Sequence, residues 1–146
     1  MTSVEPSKGR DKRGGIIAPG ANPDTWQGLM KINASTGEMT PIFKEHAPSN
    51  GAVLATAGDL LFWGDLDHNF RAFDADSGKV LWEQKLNGPV QNSTITYGVN
   101  GKQYVAVLTG VGLNTAGIID QAGIKPNRTY NALYVFALPG GTTNTK

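Results

Sequence analysis

Four acids, Asp65, Asp67, Asp74 and Asp76, are by type residues that could hold a hard cation such as calcium. Their spacing does not deliver such a loop. The glycine and bidentate glutamate of an EF-hand are absent, and the acids fall where turns between strands are expected. His46 and His68 have no partner at metal-ligand spacing; His68, inside Asp67-His68-Asn69, reads as a solvated turn residue. Gly110-Val111-Gly112 follows an apolar run, as a dinucleotide loop would, but the third glycine of that fingerprint falls on Thr115 and no acid follows Asp120. Lys8, Arg10, Lys12 and Arg13 around Asp11 form a basic run that reads as a solvated arm. Sequons at Asn33, Asn92 and Asn127 matter only in a eukaryotic secreted protein. The chemistry of this chain therefore depends on the elements that position its residues.

Those elements repeat. Setting Gly37 against Gly78 matches Ile32 to Phe73, Asn33 to Asp74, Ala34 to Ala75, Thr36 to Ser77 and Glu38 to Lys79, an offset of 41 residues. A period near 40 suggests propeller blades or another repeat array, in which each unit buries its apolar face on a neighbour. Strands are expected at 29–33 and 38–43, then at 53–56, 60–64, 70–74 and 79–84, with turn signals at Gly58-Asp59, Asp67-His68-Asn69 and Ser77-Gly78. Four short antiparallel strands in about 32 residues make one blade. A further unit has strands near 92–97 and 103–108 hinged on Asn100-Gly101, and a third strand at 133–138 delayed by an insertion over 110–130. Two, four and three strands amount to about two and a quarter blades of an all-β propeller. Residues 1–26 read as an irregular loop or tail, 27–139 as the blades and 140–146 as a second tail.

Trp82 closes the acidic turn of the second copy, and an aromatic there lies between adjacent blades; its truncation to Ala is expected to cost ~3–5 kcal/mol. In the first copy the equivalent position is Pro41, so that unit keeps the turn and loses the aromatic.

Composition excludes several classes. A net charge of +1 gives no basic face for nucleic acid. With no cysteine there is no disulfide framework, thiolate metal site or covalent c-type haem within the chain. No stretch approaches the roughly 20 apolar residues of a membrane helix. The start, Met1-Thr2-Ser3-Val4-Glu5-Pro6, lacks the apolar core of a signal peptide, so either the chain is cytosolic or its export signal lies outside this sequence.

Three blocks in fixed order then resemble a family: Gly51-Ala52-Val53-Leu54-Ala55-Thr56-Ala57-Gly58-Asp59-Leu60-Leu61-Phe62, Ala72-Phe73-Asp74 through Trp82, and Gly101-Lys102-Gln103-Tyr104-Val105-Ala106-Val107-Leu108. They are similar to the C-terminal blades of pyrroloquinoline quinone (PQQ) dependent alcohol dehydrogenases, and the resemblance covers residues 27–139. It implies an eight-bladed propeller whose axis holds PQQ and a calcium or lanthanide ion, and which oxidises an alcohol or polyol to a carbonyl compound in the periplasm. It also implies an electron acceptor such as a cytochrome c or a membrane quinone. The family's catalytic aspartate, metal ligands and most quinone-binding side chains lie in earlier blades, so this chain is expected to be a C-terminal piece that needs the remainder of the propeller and is inactive alone.

Of the cofactor site, the resemblance transfers only Asn50 and Gly51, which precede the Ala-Thr-Ala-Gly block. Where alcohol-oxidising members commonly carry Trp, this chain has Asn50, a hydrogen-bond donor to a quinone carboxylate or an ordinary turn residue before a strand. Gly51 admits close backbone approach. After Gly110-Val111-Gly112 the methanol-oxidising pattern places a Trp, whereas Leu113 and Asn114 stand here, so sorbose-type and polyol substrates are as compatible as methanol. The alternative is a non-catalytic propeller of the same blade type that binds protein partners, such as an outer-membrane assembly lipoprotein.

Overall fold

The computed structural model describes residues 27–112, 115–125 and 131–138. The two expected tails, and Leu113, Asn114, Asn127 and Pro139, lie outside the described residues. Among the described residues nine strands form three antiparallel sheets. The first pairs β1 (Gln27–Ile32) with β2 (Met39–Glu45); the second orders β3 (Leu54–Ala55), β4 (Leu60–Gly64), β5 (Asn69–Asp74) and β6 (Val80–Lys85); the third orders β7 (Ile95–Val99), β8 (Lys102–Thr109) and β9 (Ala132–Ala137). The expected division into two, four and three strands is the one observed.

The repeat is visible in backbone hydrogen bonds. Gly37 N donates to Asn33 O at 2.8 Å and Asn33 N to Glu38 O at 2.9 Å; Gly78 N donates to Asp74 O and Asp74 N to Lys79 O, both at 2.9 Å. In each turn a side chain closes the bend: Asn33 Oδ1 accepts from Ser35 N, and Asp74 Oδ1 accepts from the Ser77 amide and hydroxyl. Those two bonds from Ser77 hold the Asp74 carboxyl below its ordinary pKa. Gly37 and Gly78 then take left-handed φ values of 74° and 70°, where a side chain would be strained.

The core lies between sheets. The second sheet is covered on both faces, which explains the unbroken apolar run Leu60-Leu61-Phe62-Trp63: successive residues point to opposite neighbours. Trp63 and Phe73, with Leu61, pack on Leu29, Ile42 and Phe43 of the first sheet. Phe62, Phe70 and Ala72 pack on Val105, Val107, Tyr134 and Phe136 of the third. Trp82 stands at this second seam, its ring edge-on to Phe70 and Phe136 with centroids 6.1 and 5.0 Å away. It joins two sheets as expected, but at 38% exposure it is the lesser aromatic anchor. Trp63, 2% exposed at the other seam, is the buried one.

Alternation of antiparallel strands puts the connections 46–53 and 86–94, the turn 65–68 and the residues next to β8 and β9 at 110–112 and 131 at one end of the sheets, and the turns 33–38, 56–59, 75–79 and 100–101 at the other. The insertion is not wholly irregular: Ala116–Gln121 forms a short helix, α1. Ile119 is fully buried beneath it, and Gly123 at φ 69° ends it, with Ile124 N bonded back to Ile119 O.

Candidate functional site

Asn50 and Gly51 lie at the end of the sheets where β2, β4, β6 and β8 finish. Asn50 is exposed there, on the connection between β2 and β3. Buried Ser49 donates from its hydroxyl to Gly64 O at 2.6 Å and accepts from Gly51 N at 3.3 Å, which fixes the loop against the edge of β4. A Cβ at Gly51 would stand 2.9 Å from Asn92 O. Glycine is needed here because the lead-in to the third sheet passes directly over it. Gln91, next along that lead-in, accepts the Thr115 hydroxyl on Oε1 at 2.9 Å, and its amide lies beside Gly112. The structure thus brings Asn50 and Gly51, Gln91 and Asn92, and Gly112 and Thr115 into one neighbourhood.

The donor set decides what this edge can hold. Asn50 offers a neutral side-chain amide, and the backbone of residues 90–92 passes closely over Gly51. Metal chemistry has no counterpart: among the described residues no group of three or more His, Cys, Asp or Glu is placed to hold an ion.

A second cluster lies where the first and second sheets meet. Arg71, on β5, donates from Nη1 to Asp65 at 2.8 Å and to Glu45 at 2.9 Å, and from Nε to Glu83. Its guanidinium also lies 5.6 Å from the centre of the Phe43 ring. Burial works against the charge on Arg71, but the bond to Glu83 and the charges of Glu45 and Asp65 outweigh it and raise its pKa. Asp65 is fully buried and accepts from both the backbone and side-chain amides of Asn69 at 3.0 Å. Burial first, then the Asp65 charge, push Glu45 up to about 7 against the opposing pull of Arg71. Beside the cluster opens a cleft of about 560 Å³, roofed by the segment after α1, where the His46 ring meets Ala122 O at 2.8 Å.

One expectation holds and one changes. Asp65 falls in a turn between strands, as expected, and its carboxyl is the buried acid that the β4–β5 turn is built around. His68, at φ 75° in the same turn, is half-buried, with Nε2 enclosed and unpaired, and burial lowers its pKa despite the nearby Asp67 charge. Glu45, Arg71 and Glu83 were not singled out from the sequence. The available signal was a lone cation inside the apolar strand Phe70-Arg71-Ala72-Phe73, which requires buried counter-charge.

Comparisons with known proteins agree with this architecture. The family model described as the glucose/ethanol/alcohol dehydrogenase beta-propeller domain, PQQ type, matches residues 24–105. A lanthanide-dependent methanol dehydrogenase of Methylacidiphilum fumariolicum is 35% identical over 136 residues, covering 79% of this chain and 22% of that enzyme. A 1-butanol dehydrogenase (cytochrome c) of Thauera butanivorans is 42% identical over 98 residues, 66% of this chain and 14% of its own length. Among solved structures, a europium-containing methanol dehydrogenase aligns with a TM-score of 0.63 at 37% identity, over 73% of this chain and 22% of that one. The chain spans about a fifth or less of the length of these relatives.

Proposed function

Since this chain belongs to the PQQ β-propeller family of glucose, ethanol and alcohol dehydrogenases, we propose that it supplies blades and one edge of the quinone site to a periplasmic enzyme oxidising an alcohol or polyol to a carbonyl compound. PQQ, when bound, takes up the two electrons removed from the alcohol. The side-chain amide of Asn50 donates a hydrogen bond to a quinone carboxylate, and the backbone at Gly51 borders the ring edge. Ser49, held to Gly64 O, fixes both residues in place. Buried Thr115, bonded to Gln91, holds the insertion at the same end, where it frames substrate entry and limits water. The base and the calcium or lanthanide ligands come from other blades, and a cytochrome c or membrane quinone takes the electrons onward.

The observation that carries this reading is the convergence of Asn50 and Gly51, residues 91–92 and the insertion at one end of the sheets, in a chain whose relatives are quinoprotein dehydrogenases. Titrating PQQ into the complete propeller that contains these blades, followed by quinone absorbance, tests it. Asn50→Ala should weaken binding roughly tenfold or more, the loss expected for one charge-assisted hydrogen bond. Equal affinity, with a melting temperature lowered by several degrees, would make Asn50 a structural turn residue. No binding by the unaltered complete propeller would favour a scaffold that binds protein partners. With PQQ, calcium or lanthanum, alcohols and an artificial acceptor, the chain alone should show no turnover; turnover would place base and metal ligands within it.

A further inference from the structure

We propose that Glu45 and Asp65 share one proton across Arg71, so that the seam between the first and second sheets is a pH-sensitive clamp, closed with the proton bound and loosened when it leaves. The geometry carries the assignment. One guanidinium meets three carboxyl groups from three places in the chain: Glu45 on β2, Asp65 in the β4–β5 turn and Glu83 on β6. Asp65 and Glu45 converge on the same nitrogen, Arg71 Nη1, and both are nearly or wholly enclosed, with side chains 0% and 13% exposed. Two buried carboxylates on one nitrogen of a single guanidinium, whose Nε also serves Glu83, leave negative charge in excess.

A proton on Glu45 resolves the conflict. Its hydroxyl then donates to Asp65, while its carbonyl oxygen still accepts from Arg71. Asp65 is placed as the acceptor of that bond, since two N–H groups of Asn69 already point at its oxygens. The cleft beside Glu45 gives the proton a path to solvent. Other charges facing this position are Asp67, itself paired with Lys85, together with Lys125 and His46 along the cleft and Lys44 beside Glu45 on β2. Glu45 belongs to the first sheet and Arg71 and Asp65 to the second, so proton loss acts directly on their union.

The sign follows from the direction of the shift. The folded pKa of Glu45, about 7, stands above its ordinary 4.5. The stability it confers is complete below the unfolded value and is lost as pH rises through the folded one. Half-buried His68 has the opposite sign: its lowered pKa destabilises the fold as pH falls. The two slopes oppose each other where their windows overlap, below about pH 6.5, so the single variants separate the groups.

Urea unfolding of the full chain from pH 5 to 8.5 tests the clamp. The folding equilibrium constant should fall tenfold to a hundredfold between pH 5.5 and 8.5, and Glu45→Gln, which mimics the protonated group, should flatten that limb. His68→Asn should leave the alkaline limb in place. Carbon-13 NMR of the glutamate carboxyls keeps the test decisive if Glu45→Gln does not fold: one resonance should titrate near neutrality and move toward the ordinary glutamate range in Asp65→Asn. An unfolding midpoint independent of pH over this range, or an alkaline limb that persists in Glu45→Gln, would overturn the proposal. So would glutamate carboxyls that all titrate in the ordinary range.

Discussion

Truncating the two seam tryptophans should rank them in the order opposite to their prominence in the repeat. Trp63 is 2% exposed and packs on Phe43 and Phe73, with ring centroids 6.4 Å away in both cases. Trp82 is 38% exposed and keeps only part of its surface against Phe70 and Phe136. Burying a whole Trp removes roughly 200 Å² from water, or about 5 kcal/mol at 25 cal/mol/Å². Three-fifths of that burial gives about 3 kcal/mol for Trp82. Trp63→Ala is therefore expected to cost about 4–5 kcal/mol and Trp82→Ala about 2–3. Urea unfolding followed by far-ultraviolet circular dichroism measures both without relying on tryptophan emission, provided the denaturant slope stays constant. Trp63 also adjoins Gly64, whose carbonyl holds Ser49, so its loss should loosen the 49–51 loop as well. A cost for Trp82→Ala equal to or above that for Trp63→Ala would refute the assignment of the main anchor to the first seam.

The repeat-equivalent glycines should respond unequally to alanine. At Gly37 a Cβ meets nothing within 4 Å and only the left-handed φ is penalised, about 1 kcal/mol, whereas at Gly78 it would lie 2.0 Å from Ile42 O and force the first sheet away. Thermal melts of the two variants check this, and equal melting temperatures would contradict it. The third sheet exposes Ile95, Leu133 and Val135, with relative exposures of 58%, 62% and 47%, and the free edges of β1 and β9 lie open among the described residues. The chain alone should therefore self-associate with rising concentration in sedimentation velocity, and a monodisperse monomer over a hundredfold range would show that these surfaces are covered.

Sheet architecture was legible because it rests on local signals. Alternating apolar residues, Asn100-Gly101 and the two glycine turns placed the strands within a few residues, and an offset of 41 related two of the sheets. The approach of chain to Gly51 was anticipated in kind, since only glycine tolerates it, but the segment that approaches, at Asn92, lies 41 residues away in sequence. The buried cluster was not legible. Turn acids such as Asp65 and Asp76 look alike in sequence, yet one is fully enclosed beside Arg71 while the other is exposed and paired with Lys31. Likewise Gly37 and Gly78 occupy the same turn, and only the sheet lying against Gly78 separates them. Sequence by itself determined strand, turn and repeat, which depend on backbone preference and period. Tertiary structure alone decided which charges lost their water and which ring became the anchor, because burial is a property of what packs from elsewhere in the chain.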